Sequence, residues 1–342
     1  MLRYVLVLFV SIAFAYVITP LMIQIAKKFN IYDVPRERRV HKTPIPLLGG
    51  VSIAVSFLAA SLIFGLFDKS TIGLIAGGLL ILVIGVIDDI VELKPSYKLL
   101  GQILAGVVLV LSGIKIEFVT NFLTRKLFPL GIWSNVVTIM WVVAFTNVVN
   151  FIDGLDGLAS GVVAIASITI AFVAYSKGHT TISLLLFALA GSCIGFLKYN
   201  FNPAKIFMGD AGAMFLGYML AAISALGAYK GPITLAVSIP IFVLVIPIID
   251  TAFAIFRRLK KRKSISLGDK EHLHHRLLAV GLNQKQAVIA IYVGSAMFGI
   301  AAIYADAVSG ISSVIIVSTM IVAMIVVGFK IGLFGSKGDK DV

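Results

Sequence analysis

Apolar stretches of bilayer-spanning length recur along the whole chain, and they constrain it more than any motif. A helix needs about 17–25 predominantly apolar residues to cross the hydrocarbon core. Eleven candidate spans cover residues 4–25, 46–67, 71–88, 98–114, 132–149, 158–176, 181–197, 211–229, 232–256, 286–304 and 309–334. The chain is 59% hydrophobic, with a mean hydropathy of +1.05, which excludes an ordinary soluble domain. The expected fold is all-α, a polytopic membrane protein of about eleven transmembrane helices. Residues 1–342 form one integral domain, because no long polar segment could fold separately. The first span begins at Tyr4 behind Arg3 without an evident small-residue cleavage site, and reads as a retained helix. The lone cysteine, Cys193, lies in an apolar run, so no intramolecular disulfide is available.

The net charge of +13 would suggest nucleic acid in a soluble protein. Here the basic residues sit mainly in short loops, where they report topology. The loop after span one carries Lys27, Lys28, Arg36, Arg38, Arg39 and Lys42; the loop after span nine carries Arg257, Arg258, Lys260, Lys261, Arg262 and Lys263. Loops after odd-numbered spans are therefore expected in the cytoplasm, with the N-terminus outside and the C-terminus inside. The same cations can also attract anionic lipid heads or a phosphorylated substrate. Five polar segments follow odd-numbered spans: His41–Gly50, Asp88–Lys98, Asn147–Gly157, Lys198–Gly212 and Asp269–Arg276. All five are predicted on one face, as an enzyme with a cytosolic substrate requires.

Asn147–Gly157 reads NVVNFIDGLDG between two apolar runs. Asn147, Asn150 and Asp153 stand three apart, as a stripe on one helical face. The two Asp-Gly pairs, including Asp156, are turn signals. Ionisable groups beside membrane-depth helices are costly and mark a site by default; a capped tight turn explains one such pair but not both with the stripe. Asp88-Asp89 ends another apolar run. Adjacent carboxylates there suit a Mg²⁺ site, or a solvated helix end paired with Lys94 or Lys98. Asn200–Gly212 reads NFNPAKIFMGDAG, where Asp210 is either a helix cap or a metal ligand and Phe207 packs or stacks on a base. In the stretch DKEHLHHRL, His272, His274, His275 and Arg276 favour phosphate over zinc, since Arg suits bidentate phosphate contacts and no cysteine accompanies the histidines. HKTPIPLLGG, with Lys42 as an anion contact, is weak alone. Asp250 and Asp306, each near a helix end, read as structural.

At these residues the chain resembles the polyprenyl-phosphate N-acetylhexosamine-1-phosphate transferase family, with its MraY, WecA and TagO branches. The matching stretches are HKTPIPLLGG, IDD at Asp88-Asp89, NVVNFIDGLDGLA, FNPAKIFMGDAG and HLHHRL, in family order over residues 41–277. The resemblance implies an MraY-like fold. It also implies transfer of a sugar 1-phosphate from a UDP-sugar to undecaprenyl phosphate with Mg²⁺ (or Mn²⁺), at the inner face of the bacterial cytoplasmic membrane. The expected partners are then the UDP-sugar, undecaprenyl phosphate and membrane lipid, with no nucleic acid; a homodimer is expected by the same likeness. Carried over, Asp210 leads the metal ligands with Asp153 beside it. Asp88, Asp89, His274 and His275 are catalytic. Lys42, Lys98, Asn147, Asn150, Asp153, Asp156, Phe207, His272 and Arg276 bind substrate, with Phe207 stacking on uracil. The row His-Leu-His-His-Arg departs from the His-His-His-Phe-Glu of MraY chains and resembles the WecA/TagO branch, whose usual donor is UDP-N-acetylglucosamine rather than UDP-MurNAc-pentapeptide.

Two other classes use intramembrane carboxylates. A secondary transporter places them near the midplane, often in repeated halves, whereas these cluster at one face and no repeat is visible. An intramembrane aspartyl protease needs two facing Asp residues and has no use for the His-Arg row.

Overall fold

The computed structural model describes residues 1–34, 43–120, 127–229, 238–246, 248–252, 273–308 and 311–330. Helices dominate because in lipid each backbone N–H and C=O must be satisfied within its own segment. In chain order they are α1 (Leu2–Lys28), α2 (Gly49–Ile63), α3 (Lys69–Val91), α4 (Pro95–Leu111), α5 (Ser134–Ile152), α6 (Leu158–Ser176), α7 (Thr180–Asn200), α8 (Gly209–Tyr229), α9 (Ser238–Val243), α10 (Leu273–Ala279), α11 (Gln284–Ala307) and α12 (Ile311–Lys330). Two antiparallel ribbons interrupt them: β1 (Tyr32–Asp33) with β2 (Ile45–Pro46), and β3 (Phe118–Thr120) with β4 (Leu127–Pro129).

The polytopic all-α expectation holds; the count of eleven spans is not confirmed. Among the described residues seven helices are long and apolar enough to cross a membrane: α1, α3, α5 with its preceding turn, α6, α7, α8 and α11. Helices α2 and α4 are apolar but only 15 and 17 residues long. The ninth expected span, 232–256, is only partly described. Its described part is α9, then a turn at Leu244 and a second helical piece. Proline has no N–H to donate to the carbonyl four residues back, and Pro247 stands four residues after Val243, where α9 ends.

Local signals set several boundaries. Asp68 and Thr71 open α3 with reciprocal side-chain to backbone bonds of 2.8 and 2.7 Å. Asn283 and Gln286 open α11 in the same way, at 3.0 and 2.9 Å. Pro95 opens α4, where its missing N–H costs nothing. Helix α8 is apolar all round and runs through the middle of the bundle, packed by α2, α3, α5, α6 and α7. Tyr218, Phe57, Phe196 and Phe215 are the largest fully buried side chains at that centre. The outer helices instead expose apolar side chains, such as Leu6, Phe9 and Val17 of α1, which is the expected lipid-facing belt. The C-terminal ends of α3, α5 and α7 meet the N-terminal ends of α4, α6 and α8 around one cavity.

Candidate active site

That cavity, of about 810 Å³, is lined by Asp88, Asp89, Lys98, Asn150, Asp153, Asp156, Phe207 and Asp210 among others. It draws on four of the five polar segments, whose lining residues run from Thr43 to Asp210, 167 positions apart in sequence.

Lys98 stands at its centre. Its Nζ lies 2.5 Å from Asp88 Oδ2 and also contacts Asp210 Oδ2. The other oxygen of Asp88 accepts the Leu93 N–H at 2.7 Å, just past the end of α3. The second Asp210 oxygen accepts from Asn150 Nδ2 at 2.5 Å. One lysine thus ties two carboxylates, from α3 and α8, and an asparagine from α5 holds the second of them.

The two adjacent aspartates have different surroundings. Asp89 spends both oxygens on the start of α8: Oδ1 accepts the Asp210 N–H at 2.7 Å and Oδ2 the Ala211 N–H at 3.2 Å. These are orphan donors of a helix N-terminus, and a carboxylate there also meets the positive end of the helix dipole. Gly209 permits the approach. Its φ is +67°, and a side chain at that position would strike the Asp89 carboxylate.

Asp156 is likewise occupied, accepting from Asn202 Nδ2 at 2.9 Å and the Ala204 N–H at 3.0 Å. Asn202 also donates to Gln284 Oε1 at 2.7 Å, which joins α11 to the cavity wall. Asn200 Nδ2 donates to the Ile206 carbonyl at 2.9 Å. These bonds shape the 200–208 loop, which includes a cis Asn202–Pro203 bond and presents Phe207 to the cavity.

Asp153 differs from all of these. It caps the end of α5, where its N–H donates to the Asn150 carbonyl at 3.2 Å, and it lines the cavity, but its carboxyl has no hydrogen-bond or ion-pair partner among the described residues. Burial, with the negative charges of Asp210 and Asp156 added, pushes its carboxyl up to about 8. A half-buried carboxyl facing other carboxylates, with no cation paired to it among the described residues, marks where positive charge is wanted. No three His, Cys, Asp or Glu side chains among the described residues form a ready-made metal cage.

Other expected site residues lie elsewhere. Asn147 is one turn deeper than Asn150 and does not line the cavity; its Nδ2 donates to Gln102 Oε1 at 2.7 Å and to the Val143 carbonyl at 2.8 Å. That amide pair locks α4 to α5. Arg276 sits on α10 and is not among the lining residues. The backbone N–H of Leu273, first residue of α10, donates to Asp250 at 2.8 Å, which gives Asp250 a capping role. Leu273 also lies beside Ile152 and Leu158, so α10 is next to the cavity. Lys42 and His272 fall outside the described residues, as do the side chains of His274 and His275.

The cavity also includes residues that the sequence reading passed over: Tyr32, Asp33, Glu92, Asn200, Asn202 and Gln284. Asn200 and Asn202 carried a usable signal, two amides flanking Phe201 just before Pro203. Gln284 carried none, since it opens a helix 74 residues beyond Asp210.

Residues 71–228 match the family model described as glycosyl transferase family 4. The chain is 39% identical over 339 residues to a Bacillus subtilis (strain 168) protein named "Probable undecaprenyl-phosphate N-acetylglucosaminyl 1-phosphate transferase", covering 98% of this chain and 94% of that one. The chain belongs to the polyprenyl-phosphate N-acetylhexosamine-1-phosphate transferase family. Within this family it groups with the WecA/TagO-like members. A decaprenyl-phosphate N-acetylglucosaminephosphotransferase of Mycolicibacterium smegmatis is 36% identical over 312 residues, 81% of this chain and 76% of that protein. The undecaprenyl-phosphate alpha-N-acetylglucosaminyl 1-phosphate transferase of Escherichia coli (strain K12) is 25% identical over 298 residues, 83% and 78% of the two chains. The family match spans the helices that carry Asp88, Lys98, Asn150, Asp153 and Asp210. This family member is a multi-pass membrane glycosyl-1-phosphate transferase.

Proposed function

We propose that the protein transfers N-acetylglucosamine 1-phosphate from UDP-N-acetylglucosamine to undecaprenyl phosphate, at the cytoplasmic face of a bacterial cytoplasmic membrane. A lipid phosphate oxygen attacks the sugar-bearing phosphorus, the bond to the bridging diphosphate oxygen breaks, and UMP leaves. The observation that carries this reading is the cavity at one end of the bundle, with Lys98 between Asp88 and Asp210 and an unpartnered Asp153 alongside. Phosphoryl transfer rests on positioning and charge neutralisation, which these groups are suited to supply. A cluster at one end also fits a transferase better than a transporter, whose site lies near the midplane.

Asp210 and Asp153 are the residues that would hold Mg²⁺, with Mn²⁺ as a substitute. Two carboxylates suit an ion that keeps several waters and takes further ligands from substrate phosphates, and the orphaned Asp153 carboxyl supports that fit. When bound, the ion supplies positive charge beside the diphosphate.

The protein's own groups do the rest. Lys98 leaves Asp210 to meet an incoming phosphate. Asp88 holds Lys98 in position at 2.5 Å. Asp89 fixes the main chain at Asp210. No strong base is needed, because a phosphate monoester is already mostly dianionic at neutral pH, its second pKa being near 6. Phe207, which lines the cavity, would stack on uracil.

The test is to incubate purified protein with undecaprenyl phosphate, UDP-N-acetylglucosamine and Mg²⁺, with and without EDTA. UMP release and a chelator-sensitive lipid-linked sugar are expected. Failure with this donor but success with UDP-N-acetylgalactosamine or UDP-MurNAc-pentapeptide would reassign the branch. Failure with all three in folded protein would overturn the reaction.

A further inference from the structure

At the end of α4 opposite the cavity, the chain forms the β3–β4 ribbon before entering α5. The ribbon's base is rigid. Ile114 and Ile116 are buried, the Ile116 N–H donates to Thr138 Oγ1 at 2.9 Å, and Ser134 Oγ donates to the Ile116 carbonyl at 2.7 Å. The Leu130 N–H closes the base on the Glu117 carbonyl at 2.8 Å. Beyond this base both faces are apolar and open. Val119 pairs with Phe128 on one face, while Phe118 pairs with Pro129 and Thr120 with Leu127 on the other. Phe118, Val119, Leu127 and Phe128 are all exposed.

A two-stranded ribbon has little stability of its own in water, and large exposed apolar patches mark interaction surfaces. The neighbours show what covers this one. The residues that flank it in the chain are exposed as well: Leu111 at the end of α4, and Ile132 and Trp133 before α5, with Leu111 and Ile132 80% and 88% exposed. These residues continue the lipid-facing belt of the same two helices, which exposes Leu104 and Met140. Trp and Tyr collect at the headgroup level of a bilayer, and Trp133 is exposed at the start of α5, in the same α4–α5 connection as Phe118 and Phe128. Glu117, at the start of the ribbon, is paired with Lys115 at 3.5 Å.

We propose that the β3–β4 ribbon is a membrane-interface anchor, immersed in the headgroup region of the leaflet opposite the cavity. By its rigid base it fixes the depth of α4 and α5, the helices that carry Lys98, Asn150 and Asp153. This anchor does not depend on which sugar the enzyme transfers.

Spin labelling tests it directly, because Cys193 is fully buried and leaves an introduced cysteine as the accessible thiol. Phe128→Cys and Leu127→Cys place a nitroxide on each face of the ribbon in the full protein, reconstituted in vesicles of neutral and anionic phospholipid. Collisions with oxygen, which concentrates in lipid, are compared with those of a water-soluble nickel chelate. Oxygen dominating at either position, or at both, is the expected result. Chelate dominating at both would put the ribbon in water. Low accessibility to both reagents at both positions would mean protein cover, such as a second copy of the chain. Either of these outcomes overturns the proposal.

Discussion

At the scale of single residues, the carboxylates of the cavity separate by what already holds them. Asp89 and Asp156 bind backbone and amide donors, Asp88 and Asp210 share Lys98, and Asp153 stands without a partner. Asp210→Asn should lower turnover at least about 100-fold, as loss of a group facing developing charge does, while the melting temperature stays near that of the parent. Near-full UMP release from that variant would remove Asp210 from the site. Asp89→Asn keeps only one acceptor oxygen for two backbone donors. Because it acts through Asp210, its expected signature is a rise of about tenfold in half-saturating Mg²⁺, with a smaller fall in kcat. A collapsed kcat with unchanged Mg²⁺ dependence would instead mean that Asp89 touches the reacting groups. Asp153 makes a pH prediction. Its carboxyl is raised to about 8 from an ordinary 3.8, so the folded protein holds a proton that the unfolded chain loses near pH 4. The metal-free protein should therefore lose stability as pH climbs from about 4 to about 8. Over the same window Mg²⁺ affinity should increase, because binding displaces that proton. Calorimetric Mg²⁺ titrations from pH 6 to 9 check this, and Asp153→Asn should flatten the slope.

At the scale of elements, the site depends on how closely α2 and α3 approach the start of α8. The Gly49 and Gly50 N–H groups donate to the Phe207 and Met208 carbonyls at 3.0 and 2.9 Å. A methyl on Gly50 would meet the backbone of Ala211 and Gly212, where no flexible side chain can yield. Gly50→Ala is expected to cost about 1–3 kcal/mol as overpacking and to weaken activity by moving Asp210. Thermal melts in detergent and UMP release measure the two effects, and an unchanged melt would refute the close packing. The stretch HKTPIPLLGG looked weak in sequence because its role is steric. Its glycines offer no side chain to a substrate; they donate these two backbone bonds and let two helices touch. Helix existence was legible from apolar length, and the α3 and α5 ends from their acidic residues. The interruption at Leu244 was not, since mean hydropathy does not register that Pro247 has no N–H to donate.

At the scale of the whole molecule, the alternation of spans brings four distant polar segments to one end, while the opposite end carries structural ion pairs. Asp306 belongs to that opposite end, where it is buried and bonds the half-exposed Lys177 at 3.0 Å. Asp306→Asn should leave turnover within about twofold of the parent yet cost about 1 kcal/mol of stability, a value set by solvent screening of the exposed lysine. A folded but inactive Asp306→Asn variant would overturn the assignment of the two faces.

The sequence by itself determined the class of fold, the gathering of the acidic motifs on one side, and the family. Apolar length and the order of motifs are local properties that survive without coordinates. The division of labour among the carboxylates was decided only by tertiary structure. Asp88 and Asp89 are neighbours with the same side chain, and nothing local tells them apart. A helix advances about 100° per residue, so one turns toward Lys98 and the other toward the first amides of α8. Asn147 illustrates the same limit: its three-residue spacing from Asn150 fits a common stripe, but depth within the bundle gives it to Gln102 instead of the cavity.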